Sequence, residues 1–324
     1  MDALLRSTFQ VLTRGQKTNS YKFALLRAIA DRARSTGTDA QEISRAELAD
    51  RFVHYYWPLT LKYRVRQGTD PSKDPVVMRY LRKLVAEGVI TGSDVPTDLQ
   101  HRDRACYEDL LDTVAKFAFR DVIPRFHTVR RNRVSPVLFR ESASGISLSP
   151  EAVAFVAAHR DLLRYLAVAG WVRFTQAFSS APRLFEKISD EQPRRKTAAY
   201  RGPVEQASNA SCFYCGNSQG PWAIDHVIPW AYVLEDRAWN LVLSCRACNG
   251  RKSDSLPTAG FMQTLIDRNF RWAGVADKLP PRIRSDLAEW PTPEACANHL
   301  RTMYEQATNE GFSTWEPIDE SVRR

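Results

Sequence analysis

The chain has 324 residues, 44% of them hydrophobic, and a net charge of +9, which suits two domains or one large one with a polyanionic partner. No stretch reaches the roughly 18 uncharged apolar residues of a membrane span, and the start carries Asp2 where a signal peptide would be basic. We therefore expect a cytoplasmic protein that folds without disulfide bonds and has no membrane contact.

The positive charge is unevenly distributed along the chain. Residues 211–324 contain 12 Lys and Arg against 14 Asp and Glu, a net charge of −2, so residues 1–210 carry +11. Arg outnumbers Lys 36 to 10, which suits bidentate phosphate contacts but is equally explained by a GC-rich genome. We therefore expect nucleic acid to bind mainly to the first two-thirds of the chain.

The first hundred residues are predicted to be helical. Apolar residues recur at helical spacing over 21–34. Ser44 and Glu47 have the spacing of a capping box, and the apolar stripe that follows predicts a helix ending at Pro58.

A further helix is predicted after Asp74, an N-cap residue followed by Pro75, and Gly88 should end it. The run 89–91 then has strand-like residues, so these helices could form a winged-helix DNA reader. The alternative is a helical scaffold that does not enter a DNA groove. We favour it because no helix shows a clear pattern of Arg or Asn residues that could contact bases.

The interval 119–148 has short apolar runs separated by polar breaks and is predicted to be a small antiparallel β-meander. It is also the most basic part of the chain, with six arginines against two acidic residues. We expect Arg130, Arg131 and Arg133 to contact DNA phosphates, although a solvated hairpin would have a similar composition.

Residues 191–210 lack apolar periodicity and are predicted to be a linker. The linker divides the chain into a mainly helical recognition or docking domain, 1–190, and a second domain, 211–324. Helical spacing over 258–270 and 292–309 predicts two closing helices in the second domain.

Four of the six cysteines form two Cys-x-x-Cys pairs, Cys212 with Cys215 and Cys245 with Cys248. In a cytosolic chain this pattern favours a metal site over disulfide bonds, whereas a single Cys-x-x-Cys pair would also suit redox chemistry. Four thiolates close a tetrahedral shell completely, so the pattern predicts structural Zn²⁺ with no open position for water.

Three short motifs lie between and after the cysteine pairs: Asp-His-x-x-Pro from Asp225, Asn-Leu from Asn240 and Cys-x-x-Cys-Asn-x-x-Lys-Ser from Cys245. At these residues the sequence resembles the HNH endonuclease family, whose fold is a β-hairpin packed on a helix around one divalent ion. The resemblance extends from Cys212 to about Leu256. All three motifs must coincide for it to be specific, since an Asp-His pair alone is more often a surface ion pair.

Phosphodiester hydrolysis needs an activated water and a cation that neutralises charge on the phosphorane. A histidine imidazole has an unperturbed pKa of about 6.5, so it can accept the proton of that water at neutral pH. His226 is therefore the predicted general base. The resemblance implies that Asp225 and Asn249 ligate the divalent ion and that Asn240 orients the base. Because an amide oxygen suits hard cations, Asn249 favours Mg²⁺ or Mn²⁺.

Arg251 and Lys252 follow on the same predicted helix and are expected to contact the flanking phosphates. The five histidines outside the motif, His127 among them, are expected to be structural or solvated. Cys106 and Cys296 stand alone and are expected in the core.

These features predict an α+β protein, a helical domain with a small antiparallel sheet followed by a zinc-stapled ββα-metal module with C-terminal helices. The expected function is metal-dependent DNA cleavage in bacterial restriction or antiphage defence. One site nicks one strand, so double-strand cleavage would need a homodimer partner or a second event. A non-catalytic zinc-containing DNA-binding regulator and an effector subunit active only with a second defence-system protein remain as alternatives.

Overall fold

The computed structural model of the chain describes residues 3–32, 39–191, 193 and 195–317. These residues form two compact units. The N-terminal unit lies within Met1–Ser179 and Leu184–Glu191, and the C-terminal unit within Ser180–Arg183 and Gln192–Arg324. Helices with small, mostly antiparallel sheets make up both, so the fold class is α+β.

The described part of the N-terminal unit is mainly helical. Its helices are α1 (Ala3–Arg14), α2 (Tyr21–Arg32), α3 (Arg45–Leu61), α4 (Val76–Ala86), α5 (Pro96–Arg102), α6 (Arg104–Phe117), α7 (Phe119–Arg125), α8 (Pro150–Ala158), α9 (Arg160–Thr175) and α10 (Leu184–Ser189). Its strands are β1 (Gln41–Ser44), β2 (Thr128–Val129), β3 (Asn132–Arg133), β4 (Arg140–Glu141) and β5 (Gly145–Leu148). Strands pair antiparallel in the order β1-β5-β4, and β2 pairs with β3 as a hairpin.

The core of this unit is built on aromatic side chains from α2, α3, α7 and α9. The rings of Phe52 and Phe119 lie 4.8 Å apart, and those of Tyr56 and Trp171 lie 5.3 Å apart. The indole N–H of Trp171 donates to Gln67 over 2.6 Å, so its polar tip is satisfied inside the core. Burial of such rings is the main stabilising contribution in this unit.

The predicted helix signals at Ser44 and Gly88 are confirmed. Ser44 and Glu47 form the capping box of α3. Gly88, at φ 71°, follows α4 with both hydrogen bonds of a Schellman motif, one of them from Val89. The helix predicted over 21–34 is α2, which ends at Arg32; residues 33–34 lie outside the described residues.

Three expectations near these helices are wrong. Helix α3 continues past Pro58 to Leu61, because its neighbours on both sides are buried and that burial offsets the missing hydrogen bond. The run 89–91 forms no strand, since Val89 is used to cap α4, so the winged-helix arrangement loses its wing. The N-cap of α4 is Pro75, and Asp74 instead pairs with Arg82.

The expected meander over 119–148 is partly wrong. Its first run forms α7, because Phe119, Val122, Ile123 and Phe126 follow helical spacing and all four are buried on one side. The antiparallel strands begin only at Thr128, as the β2–β3 hairpin and the β1-β5-β4 sheet.

The C-terminal unit surrounds a short hairpin with helices. Its α-helices are α11 (Arg201–Gln206), α12 (Trp230–Val233), α13 (Arg246–Lys252), α14 (Ala259–Gly274), α15 (Pro281–Leu287) and α16 (Pro293–Asn309), with 3-10 helices at Thr197–Tyr200, Ala238–Asn240 and Ala276–Lys278. Its strands are β6 (Trp222–His226), β7 (Leu241–Cys245), β8 (Leu256–Pro257) and β9 (Thr314–Trp315); β6 pairs antiparallel with β7, and β8 pairs parallel with β9.

Part of the interval 191–210, expected to be a linker, is helical and belongs to the core of this unit. Tyr200 and Val204 are buried against Leu241 and Trp272. The Tyr200 hydroxyl also donates to Asp286 over 2.9 Å. Two aromatic or aliphatic residues within ten positions give too weak a periodicity to reveal this packing from the sequence.

The two predicted closing helices are confirmed as α14 and α16. The Thr292 side chain caps α16 by accepting from the backbone N–H of Ala295. None of the helices in the described part of the chain combines the length and the apolar character that a membrane crossing requires.

Candidate active site

The four paired cysteines come together at one end of the β6–β7 hairpin. Cys212 and Cys215 precede β6, Cys245 ends β7 and Cys248 lies in the first turn of α13. Their sulfur atoms all lie within 4.8 Å of one another, with 3.9 Å between Cys215 and Cys245. Tetrahedral zinc with bonds of about 2.3 Å holds its sulfur ligands roughly 3.8 Å apart. The four thiols therefore fit a zinc ion, and a complete thiolate shell makes that ion structural.

The predicted base, His226, is the last residue of β6 and pairs with Leu241 of β7. Its Nε2–H donates to Asp236 Oδ1 over 2.8 Å, and both side chains are only 7% exposed. Burial raises the pKa of Asp236, but hydrogen bonds from His226 and from the backbone N–H of Lys196 outweigh it, so this pKa lies below its usual value. Asp236 is thus an anion that fixes the imidazole ring.

Asp225 is buried on β6 and has two donors on the same oxygen. The Tyr214 hydroxyl donates to Asp225 Oδ2 over 2.6 Å, and the Lys252 ammonium lies 3.2 Å from it. Burial raises the pKa of Tyr214, and the Asp225 carboxylate raises it further, so the phenol remains a donor. The contacts on Oδ2 leave Oδ1 of Asp225 as the oxygen that can bind a cation.

Lys252 does not have the position that the sequence suggested for it. Its side chain is fully buried, and its ammonium donates to the backbone carbonyl of His226 over 2.7 Å as well as pairing with Asp225. A buried ammonium with these partners cannot reach a phosphate, so the expected phosphate contact at Lys252 is wrong. Arg251, in contrast, is exposed.

Asn240 is buried and holds the loop that follows His226. Its Oδ1 accepts from the backbone N–H of Ile228 over 2.8 Å, and its Nδ2 donates to the carbonyl of the same residue over 2.9 Å. From α14, Arg268 binds the carbonyls of Ala238 and Leu241 on either side of Asn240. The position of Asn240 is therefore fixed by both its side chain and its surroundings.

Asn249 is half-buried on α13, which packs against β6 and β7. It stands three residues before Lys252, so both side chains lie on the same face of the helix. Because Lys252 contacts Asp225 and His226, that face is directed toward the end of β6. A carboxylate and an amide oxygen from these two elements match the oxygen ligands that Mg²⁺ and Mn²⁺ prefer.

The arginines predicted to contact DNA lie in the N-terminal unit, on the β2–β3 hairpin. Arg130, Arg131 and Arg133 are all exposed. Arg130 and Arg131 occupy its two-residue turn at φ 49° and 72°, the left-handed conformation of a type I′ turn that usually takes Asn or Gly. Their guanidinium groups are therefore presented at the tip of the hairpin.

Three residues of the C-terminal unit were missed from the sequence: Tyr214, Asp236 and Arg268. Tyr214 lies between two zinc ligands, which could have identified it as a buried aromatic residue. Asp236 and Arg268 stand 10 and 42 positions beyond His226 without any spacing rule, so only the three-dimensional structure reveals them.

Comparison with protein families agrees with this geometry. The HNH endonuclease family matches residues 212–258, and this part of the chain is an HNH module. The family described as "Domain of unknown function (DUF8808)" matches residues 3–192, more than half of the chain. No curated protein and no solved structure matches the chain.

Proposed function

The chain belongs to the family described as "Domain of unknown function (DUF8808)", and we propose that its HNH module makes it a metal-dependent endonuclease that hydrolyses DNA phosphodiester bonds. The observation that carries this proposal is the end of β6. There Asp225 and His226, each held by buried partners, lie against the helix that carries Asn249.

In this proposal His226 removes the proton from the attacking water. With Nε2–H bound to Asp236, a neutral imidazole has its lone pair on Nδ1, which has no hydrogen-bond partner among the described residues. Asp236 also stabilises the imidazolium formed when the proton is accepted. Asn240, through Ile228, keeps the loop beside the base in place.

Asp225 and Asn249 would hold Mg²⁺ or Mn²⁺. Such an ion supplies positive charge to the phosphate oxygens and to the departing 3′ oxygen. Tyr214 and Lys252 restrain the carboxylate of Asp225 so that one oxygen faces the site. By family resemblance, the products carry 5′-phosphate and 3′-hydroxyl ends.

Contacts to the DNA backbone are assigned to the N-terminal domain, 1–190, with Arg251 contributing from the nuclease domain, 211–324. Residues 1–210 carry the surplus charge of +11, and Arg130, Arg131 and Arg133 present three guanidinium groups at an exposed hairpin. One guanidinium group can bind two phosphate oxygens at once, and such contacts recognise the DNA backbone without depending on the base sequence.

The biological setting that best fits is bacterial restriction or antiphage defence in the cytoplasm, where a nuclease module is joined to a recognition domain. Double-strand cleavage would use a homodimer or a second defence-system subunit. A non-catalytic regulator is disfavoured, because a protein that only binds DNA has no need of Asp225, His226 and Asn249 together. An effector active only in a complex remains the second candidate.

The test is incubation of the purified full-length chain with supercoiled plasmid, modified and unmodified, with Mg²⁺, Mn²⁺ or EDTA. We expect nicked circles with either ion and none with EDTA, while the zinc content of the protein stays the same in all reactions. Cleavage only after addition of a cell extract would favour the effector subunit. Binding without cleavage under every condition would contradict the nuclease proposal.

A further inference from the structure

A basic pocket lies in the N-terminal unit. It has a volume of about 430 Å³ and is formed by the loop between α1 and α2, the start of α2, α7 and β2. That volume falls in the range of roughly 300–1,000 Å³ typical of small-ligand sites. Its charged lining residues are Lys17, Lys22, Asp121, Arg125 and Arg130.

The two lysines in this pocket have no acidic partner among the described residues. Lys22 is 7% exposed, and its ammonium makes one hydrogen bond, to the carbonyl of Thr128 over 3.3 Å. The ammonium of Lys17 donates to the carbonyl of Gly15 over 2.8 Å. Among the described residues that line the pocket, the one acid is Asp121; it pairs with Arg125 at 3.3 Å, so it does not neutralise either lysine.

The groups around the lysines add to the positive charge. Burial and, to a smaller degree, repulsion by Lys17 together lower the pKa of Lys22 to about 8. Burial also lowers the pKa of Lys17, with a contribution from Arg173. A buried cation without a counter-ion is costly, and a bound anion would remove that cost.

We propose that this pocket binds a terminal phosphate group, the phosphomonoester of a nucleotide or of a nucleic-acid end. Such a group carries a charge of about −1.5 to −2 at pH 7, matching Lys17 and Lys22 together. It projects from its sugar and can reach the buried ammonium of Lys22. A backbone phosphodiester has a single charge and a sugar on both sides, so it fits the exposed arginine hairpin but not this pocket.

The walls of the pocket support a compact oxyanion. A Cβ atom placed on Gly15 would lie 3.2 Å from the Lys22 ammonium and 2.5 Å from the carbonyl of Val11, so the backbone passes close to the lysine. Thr18 and Asn19, neutral polar residues of the loop before α2, complete this part of the lining. Arg130 at the rim is placed to contact the sugar or a second phosphate.

The test measures binding to the full-length, zinc-loaded protein. Three probes are compared, inorganic phosphate, adenosine monophosphate and a 5′-phosphorylated oligonucleotide, with the same oligonucleotide ending in 5′-hydroxyl as the reference. We expect phosphate to raise the melting temperature above that in chloride of equal ionic strength. We expect the 5′-phosphate to strengthen oligonucleotide binding about tenfold, as for one charged hydrogen bond.

The decisive variant is Lys22→Met, with Lys116→Met, an exposed lysine of α6, as the matched control. Lys22→Met should lose the phosphate-dependent rise and the 5′-phosphate preference, while its melting temperature without ligand equals or exceeds that of the wild type. Lys17→Met should weaken binding to a smaller degree. Binding of adenosine monophosphate alone would assign the site to free nucleotides, and binding of the phosphorylated oligonucleotide alone would assign it to nucleic-acid ends.

Three binding results would overturn the proposal. They are equal binding of the 5′-phosphate and 5′-hydroxyl oligonucleotides together with no binding of adenosine monophosphate, no response to any phosphomonoester, and unchanged phosphate binding in Lys22→Met. A lower melting temperature of Lys22→Met without ligand would also contradict it, because Lys22 would then stabilise the fold itself. Binding and melting temperature are the readouts, so these outcomes do not depend on nuclease activity.

Discussion

The site residues of the HNH module and the aromatic core residues of the N-terminal unit are held by different kinds of contact. In the HNH module, buried polar groups such as Lys252, Asp225 and Asn240 each need partners at hydrogen-bond distance. In the N-terminal unit, rings such as those of Phe52 and Trp171 need mainly apolar neighbours of suitable volume. Polar contacts restrict residue type and spacing, whereas apolar packing accepts many sequences. The motif of the module therefore indicates a function, whereas the apolar pattern of the N-terminal unit indicates none.

Removal of the predicted zinc ligands should produce the largest difference in folding between the two units. We expect Cys245→Ser with Cys248→Ser to abolish zinc binding, folding of the β6–β7 hairpin and nicking, because zinc binding contributes directly to folding. Hydrogen exchange should show lost protection in β6, β7 and α13 but unchanged protection in α2, α3 and α9. Cys106→Ser, outside the cluster, is the control. Absence of zinc from the wild-type protein would contradict the four-thiolate assignment.

The division of charge between the units can be tested through the salt dependence of DNA binding. Each neutralised phosphate contributes about −0.9 to the slope of log affinity against log salt. Replacing Arg130, Arg131 and Arg133 together by alanine should flatten this slope by roughly 2 to 3 units.

The matched control for the hairpin variant removes the same charge at exposed arginines elsewhere in the N-terminal unit: Arg6, Arg79 and Arg104. It should change the slope by less than about one unit, the contribution of a single phosphate. Equal flattening in both variants would mean that the slope reports net charge and that the hairpin is a solvated surface.

Tyr214 lies between Cys212 and Cys215 and donates to Asp225, the proposed ligand of the catalytic ion. Tyr214→Phe removes one donor to Asp225, and we expect the Mg²⁺ concentration for half-maximal nicking to rise about tenfold or more. Zinc content should not change, because the neighbouring cysteines are intact. Phe213→Leu, between the same two cysteines, should leave the Mg²⁺ requirement unchanged. A fall in rate at saturating Mg²⁺ with no shift in that requirement would remove Tyr214 from the metal site.

A smaller effect is expected from His127, which is buried in the N-terminal unit. Burial, together with repulsion by Arg133 and Lys22, lowers its pKa to about 3. The unfolded chain then binds more protons below pH 6.5, so stability is complete above that pH and falls as pH decreases toward 3. His127→Gln keeps an acceptor for the backbone N–H of Leu138 and should lose less stability on acidification.

Calorimetric melting temperatures between about pH 4 and pH 7 would measure this difference. His101→Gln, at an exposed histidine of the same unit, is the control. An identical pH profile for His127→Gln and the wild type would show that His127 does not contribute to acid sensitivity.

Parts of the fold could be predicted where a short sequence pattern is compatible with a single backbone conformation. Ser44 with Glu47 caps a helix, and Gly88 ends one, because few other conformations satisfy the same backbone groups. The strand prediction for the run starting at Phe119 is wrong because a short apolar run between polar breaks is typical of a strand, whereas the spacing of the buried residues is helical. Tertiary packing likewise decided the structure at Pro58 and Tyr200.

Within the HNH module, the cysteines and the motif at Asp225 and His226 could be predicted because their order is part of the motif. Lys252 was misplaced because a basic residue after Asn249 in the sequence is compatible with either a phosphate or a buried carboxylate. The structure decides between these by placing Lys252 beside Asp225. The partnership of Asp236 with His226 arises from a loop conformation that no local pattern specifies.

The most direct test of the central claim compares His226→Ala with the wild type in plasmid nicking and in DNA binding. A general base acts in the transition state and contributes little to ground-state affinity. We predict that nicking falls by about 10² to 10⁴-fold, the usual contribution of acid–base catalysis, while DNA affinity and zinc content stay unchanged. His101→Ala should behave as the wild type. Retention of most nicking activity by His226→Ala would contradict the assignment of the active site.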